Sequence, residues 1–209
     1  AFTATATGAV RDDIKTLLRL VSPLVVTTGF DRPNLFFSVM QPKNKSIELM
    51  KLIKERKNES GIVYCSTRKA VEEVCELLQK NGFAATRYHA GLDENERRRN
   101  QDDFVYDRAT IMVATNAFGM GIDKSNVSFV IHYNMPKNME SYYQEAGRAG
   151  RDGRSADCIL LYSAKDVRTN QFLINNTEPT PALTEDEQEE VSRRDREPLK
   201  QMTIYCTTP

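Results

Sequence analysis

Residues Gly61 to Gly82 read GIVYCSTRKAVEEVCELLQKNG, and this one stretch changes its period partway along. Gly61 to Cys65 is a short β-rich apolar run. From Lys69 to Lys80 the apolar residues Ala70, Val71, Val74, Leu77 and Leu78 recur at helical spacing and form one stripe. Asn81-Gly82 supplies the expected C-terminal stop. A buried strand that runs straight into an amphipathic helix is half of a parallel α/β repeat.

The same alternation extends in both directions. Further strands are predicted at Leu35 to Met40, Ala84 to His89, Thr110 to Ala114, Val127 to His132 and Ala156 to Tyr162. Asp93 with Glu96 three residues later opens a helix as a capping pair. Asn138 is placed to cap the helix carrying Tyr142, Tyr143 and Gln144, after Pro136 closes the preceding strand. Residues 1–29 hold a helix at about Val10 to Leu20 and a short strand near Leu24 to Val26, too little for a core of their own. They read as the tail of a preceding domain, residues 30–177 as the α/β domain, and 178–209, rich in Pro and charge at first, as a linker leading into another helix. Ala1 in place of an initiator Met sets the expectation of a chain that starts inside a longer protein.

Composition bounds the function less than the pattern does. The 209 residues are 40% hydrophobic, enough for a real core, and Lys+Arg balances Asp+Glu at 29 each. No global basic field advertises nucleic acid, so any such contact must come from local placement. Cys65, Cys75, Cys158 and Cys206 lie far apart with no His at ligand spacing, which indicates neither zinc nor a disulfide framework and fits a reducing, cytoplasmic setting. No run approaches the length of a membrane span, and the first residues lack the charged-then-apolar pattern of a signal peptide.

The polar residues collect where strands end, which in a parallel sheet is where ligands bind. Ser66-Thr67-Arg68 offers hydroxyls, helix N-terminal N–H groups and a guanidinium to a phosphate; it also fits an ordinary Thr67 N-cap. His89-Ala90-Gly91 allows close approach of backbone to a ligand, or is a turn that needs Gly. Thr115 to Lys124, TNAFGMGIDK, is too apolar for a plain solvent loop. Its Phe118/Met120 pair fits core better than a base-stacking surface. Gly119-Met120-Gly121 lacks the third Gly of a dinucleotide fingerprint. Finally, QEAGRAGRDGR at Gln144 to Arg154 spaces Arg148 and Arg151 three apart. On a helix they would share a face, and a guanidinium pair suits a polyphosphate. Alone, the segment also fits a solvated basic turn.

Taken in order, these residues resemble the second motor domain of a RecQ-type DNA helicase, within superfamily 2. FTATAT at Phe2 to Thr7, GFDRPNL at Gly29 to Leu35, IVYCSTRK at Ile62 to Lys69, YHAGL at Tyr88 to Leu92, VATNAFGMGIDKSNV at Val113 to Val127 and SYYQEAGRAGRDGR at Ser141 to Arg154 follow in that family's order and spacing. The resemblance implies a RecA-like α/β fold, an open and mainly parallel sheet with helices on both faces. It also implies roles. Arg151 is the arginine finger toward the γ-phosphate of an ATP held with Mg2+ mainly by the preceding motor domain. Arg148 assists it, and Gln144 links nucleotide state to domain closure. Gly121 and Asp123 lie at the inter-domain nucleotide cleft, and Ser66, Thr67, Arg68, His89, Thr115 and Asn116 lie on a single-stranded DNA track.

The resemblance further implies 3′→5′ unwinding of partly duplex DNA, roles in repair and recombination, and a zinc-binding helical module after residue 209. Cys206 alone cannot make a four-ligand site, so no metal is assigned within this chain. The Gly-x-x-x-x-Gly-Lys-Ser/Thr loop and the Asp-Glu-x-His box are absent from the sequence, so this chain alone is expected to be inactive. Two other readings stay open: a RecA-like module that binds nucleic acid or protein without catalysis, and half of an RNA helicase.

Overall fold

A computed structural model describes residues 8–26, 31–119, 124–175 and 185–208. The chain divides into two compact units, Ala1–Pro33 and Asn34–Pro209. The first contains helix α1 (Gly8–Leu17). The strand expected near Leu24 to Val26 does not form: residues 23–26 have no ladder partner among the described residues, and Leu24 and Val26 are exposed. An apolar run without a partner strand leaves its backbone groups to water, and its composition alone does not make it a strand. FTATAT at residues 2–7 lies outside the described residues.

The second unit is built on six strands, β1 (Leu35–Met40), β2 (Ser60–Tyr64), β3 (Ala85–Tyr88), β4 (Ile111–Ala114), β5 (Val127–His132) and β6 (Ala156–Leu161). They form one sheet in the order β1-β6-β5-β2-β4-β3, and every pairing is parallel. The helices are α2 (Lys45–Glu55), α3 (Arg68–Lys80), α4 (Glu94–Val105), α5 (Met139–Ala146), α6 (Ala164–Asn175) and α7 (Glu185–Thr207).

Alternation along β2 divides the core in two. Val63 and Cys65 pack with Leu49, Ile53, Val71, Val74 and Leu78 under α2 and α3. Ile62 and Tyr64 face the other way, among Phe104, Phe118, Ala146 and Ala149. Each fully buried aliphatic or Phe side chain contributes about 1.5–3 kcal/mol relative to exposure. A third cluster joins Leu199, Met202 and Cys206 of α7 to Met135, Tyr142, Leu160 and Tyr162. Burial there pushes the Cys206 thiol up to about 12, so it packs as a small apolar group. Among the described residues, no helix is long and apolar enough to cross a membrane.

The caps behave as their side chains dictate. Thr67, Asp93 and Asn138 each accept an N–H from the residue three positions on: Ala70 at 3.1 Å, Glu96 at 2.9 Å and Ser141 at 2.7 Å. The Glu96 carboxylate does not reach back to Asp93. It receives Arg87 Nη2 at 2.9 Å instead, so the expected reciprocal capping box is one-sided.

Lys124, buried where the chain re-enters β5, donates to Asp107 Oδ1 at 2.6 Å and lies 5.0 Å from the centre of the Phe104 ring. Asp107 has a left-handed backbone, φ 58°, and the hydrogen bond from Lys124 holds its carboxyl below the ordinary range. A depressed carboxyl contributes stability above its ordinary pKa and loses it as pH falls through the lowered one. Asp107→Asn should therefore melt below wild type at neutral pH and converge with it in acid, as read by thermal denaturation across pH.

Candidate functional site

Because all six strands run the same way, the turns after β2, β3, β4 and β5 share one edge of the sheet, and Ser66, Thr67, Arg68, His89, Thr115 and Asn116 fall at the first three of them. Gln144 instead lies on α5, and Arg148 and Arg151 follow it in a turn tied to the start of β5. Arg68 is exposed at the first residue of α3, and its side chain lies across Gly91, where an added Cβ would stand 3.1 Å from Arg68 Cδ. The Ser66-Thr67-Arg68 and His89-Ala90-Gly91 segments thus abut. Two of their groups are already committed: Thr67 Oγ1 caps α3, and the Ser66 N–H donates to Asn134 Oδ1 at 3.2 Å.

His89 is buried with both ring nitrogens engaged. Nδ1 accepts the Gly91 N–H at 3.1 Å and Nε2 meets Glu72 Oε1 at 2.7 Å. Arg87 grips the other Glu72 oxygen at 2.7 Å. His89 therefore shapes its turn from beneath and does not reach the open surface. Thr115 is nearly buried at the end of β4, its N–H bonded to Tyr88 O at 3.1 Å, whereas the neighbouring Asn116 is exposed. Phe118 is fully buried against Tyr88 and Phe104, a core residue as its composition suggested.

The Gly-Arg run departs from its helical expectation. Helix α5 ends at Ala146 with Gly147 as C-cap, and the chain then turns, reaching φ 59° at Gly150. Arg148 folds inward and Nη1 donates to Gly119 O at 2.5 Å, while Arg151 stands exposed. A Cβ on Gly119 would overlap the Arg148 guanidinium, so glycine is required for that seat. Beside it the Tyr64 hydroxyl donates to Phe118 O at 3.0 Å. Burial pushes the Tyr64 phenol well above its ordinary value, and the charges of Arg148 and, more weakly, Arg151 act against that shift. Both guanidiniums thus lie within electrostatic reach of one buried hydroxyl. Arg148 Nε is buried and has no hydrogen-bond partner among the described residues.

Asn34 fastens this turn. Its Nδ2 donates to Gly150 O and Arg154 O, both at 2.8 Å, and its own carbonyl accepts the Ala156 N–H at 2.9 Å. No local pattern around Asn34 points to this role, because 116 residues separate it from Gly150.

A cavity of about 250 Å³ opens at the same edge, lined by Ser66, Asn116, His132, Asn134, Ser141 and Glu145 among others. At its base the buried His132 pairs through Nε2 with Glu145 Oε2 at 2.9 Å and stacks on Tyr64. Gln144, next to Glu145, is exposed on α5. Gly121 and Asp123 lie outside the described residues. No group of three or more His, Cys, Asp or Glu among the described residues is arranged to hold a metal ion.

The helicase conserved C-terminal domain family matches residues 44–153 of this chain. The chain is 46% identical over 208 residues to the ATP-dependent DNA helicase RecQ of Bacillus subtilis, covering 100% of this chain and 34% of that protein. It is 43% identical over 214 residues to the ATP-dependent helicase wrn-1 of Caenorhabditis elegans, covering 100% of this chain and 20% of that protein. It therefore spans about a third or less of the length of these relatives. Among solved structures, Saccharomyces cerevisiae Dbp5 bound to RNA and ADP BeF3 is similar, with a TM-score of 0.66 at 25% identity, covering 95% of this chain and 54% of that one. The fold is accordingly RecA-like, of the helicase C-terminal kind.

Removing the Asn34 amide takes one hydrogen bond from Arg154 O and one from Gly150 O, which keeps the Gly153 N–H at 3.1 Å. Asn34→Ala should cost about 1–3 kcal/mol and raise amide hydrogen exchange selectively across residues 150–156, measured by mass spectrometry.

Proposed function

The chain belongs to the helicase conserved C-terminal domain family and is of RecQ type, and from that premise we propose that it is the second motor half of an ATP-dependent, 3′→5′ DNA helicase. The single observation that carries this reading is the seated arginine turn, in which Gly119 makes room for Arg148, Asn34 clamps the backbone, and Arg151 is left at the surface.

An arginine that must reach a phosphate on another domain needs to be exposed on a rigid support, and Arg151 meets both conditions. In this reading Arg151 is the finger and Arg148 its electrostatic partner, with Gln144, Gly121 and Asp123 completing the inter-domain face. The donor set fits the phosphate end of ATP, since it is cationic and Arg148 Nε is an orphaned buried donor. It does not fit the whole nucleotide, because the chain has no phosphate loop and no Asp-Glu-x-His box for Mg2+. Bound ATP supplies the phosphoanhydride that is hydrolysed. This chain's residues hold positive charge where negative charge develops and keep it oriented.

The DNA track comprises Ser66, the α3 N-terminus at Thr67, Arg68, Thr115 and Asn116, contacting mainly backbone phosphates, with His89 supporting from below. The partners are single-stranded and partly duplex DNA and a preceding RecA-like domain, to which residues 1–29 belong, in an intracellular setting with roles in repair and recombination. Residues 178–209 lead toward a following zinc-binding helical module. The likeness to Dbp5 bound to RNA favours a second reading, half of an RNA helicase, which predicts a preference for strands bearing 2′-hydroxyls.

The test is DNA-stimulated ATP hydrolysis by this chain alone and after addition of the separately produced preceding domain. No turnover alone and turnover on mixing is the expected result; turnover by this chain alone overturns the reading. In the mixed assembly Arg151→Ala should lower the stimulated rate by about 10³-fold or more while ATP binding is retained. Gly119→Ala, which displaces Arg148, should lower the rate without weakening DNA binding. Stronger stimulation by RNA than by DNA would favour the second reading.

A further inference from the structure

Lys45, at the first residue of α2, and Asp166, in the first turn of α6, form a buried ion pair. Lys45 Nζ donates to Asp166 Oδ2 at 2.5 Å and to Tyr133 O at 2.8 Å, with side chains only 12% and 5% exposed. Removing both charges from water is costly, and burial indeed holds the Lys45 ammonium below its ordinary value against the pull of Asp166. Well-packed apolar residues would serve stability as well or better. The network invites the question of what else it fixes.

Asp166 uses its remaining capacity on the chain around it. Oδ2 also accepts the Ser163 N–H at 3.0 Å, and Oδ1 accepts Asn134 Nδ2 at 3.0 Å. With its NH2 committed to a carboxylate, the Asn134 amide can present only its oxygen on the other side, and that oxygen accepts the Ser66 N–H at 3.2 Å. A continuous chain of bonds therefore runs from two helix starts, through the turn after β5, to the residue just before the Thr67 cap and Arg68. Lys45 and Asp166 are 121 residues apart, and Asn134 and Ser66 are 68 apart.

We propose that Asp166, backed by Lys45 and acting through Asn134, is a positioning residue for nucleic-acid contact: it pins the Ser66 amide inward so that Arg68 is presented outward in one orientation. The inference rests on the DNA-track reading of Ser66 to Arg68. Asp166 itself touches no strand. Its effect reaches the strand only through the loop, and that sets it apart from general structural support.

The test uses the full 209-residue chain and a fluorescein-labelled oligothymidylate, with affinity read by anisotropy and Ser66 protection read by amide hydrogen exchange. Asn134→Ala should speed exchange at Ser66 and weaken binding about tenfold. Arg68→Ala should weaken it comparably, and the double variant should bind little worse than the poorer single one, because both changes remove the same oriented contact. Asp166→Leu, which removes the acceptor of Asn134 Nδ2, alone leaves a buried Lys unpaired and risks unfolding, so Asp166→Leu is combined with Lys45→Met. That pair should keep the fold, expose Ser66 to exchange, and reproduce the Asn134→Ala loss.

Additive losses in the Asn134/Arg68 pair, or lost Ser66 protection with unchanged affinity, would overturn the positioning role. An Arg68→Ala variant that binds as wild type removes the DNA track itself, and this proposal with it. Affinity lost in Arg68→Ala but kept in Asn134→Ala removes the positioning role alone.

Discussion

The parallel ladder that joins β2 to β4 on one side and to β5 on the other constrains everything else in the larger unit. Val63 pairs with Val113 and Ile131, and Tyr64 with Ala114 and His132, so three strands finish level with one another. Parallel pairing requires a crossover for each connection, and the crossovers bury both faces. The close fit extends to Gly61, where any side chain would overlap the Phe129 ring. The carboxyl-end turns carry Ser66 to Arg68, His89, Thr115 and Asn116.

Around the arginine turn, which the Gly150 N–H ties to Val127 at the start of β5, the chain uses glycine twice for different reasons. Gly119 is small so that a guanidinium can lie on its backbone. Gly150 is glycine because its φ is 59° and because Asn34 Nδ2 and Arg154 O crowd the place of a Cβ. The two work on the same turn. Arg148 is drawn in by the Gly119 carbonyl and Arg151 is left out, so two arginines three residues apart acquire opposite surroundings.

Local rules made much of this legible. The bounds of β1 and β5 follow from alternation and flanking turns, and the three caps follow from Thr67, Asp93 and Asn138. Helix α6 is hard to delimit from sequence because its buried polar residues, Asp166 and Asn170, break its apolar stripe. The period-three Gly-Arg run misled because two glycines favour a turn over helix continuation, whatever the spacing of the arginines. His89 was legible as a turn residue, but its burial was not, since Glu72, which occupies Nε2, comes from the preceding helix. Asn34, Asn134, Asp166 and Lys45 act across separations that no local pattern encodes.

The closeness of the two proposed contact regions follows from a single turn. Thr115 and Asn116 precede Gly119 by a few residues, and between them Phe118 is fully buried, its N–H bonded to Thr115 O at 3.0 Å and its carbonyl taken by Tyr64. Closely packed interiors transmit displacement and do not absorb it. A phosphate drawing on Asn116 and another drawing on Arg148 would therefore load opposite ends of one rigid turn, whose middle is held by the rings of Tyr88 and Phe104. If the proposed function holds, communication between strand and nucleotide would need no movement within this domain, only that a second motor domain contact both ends of the turn.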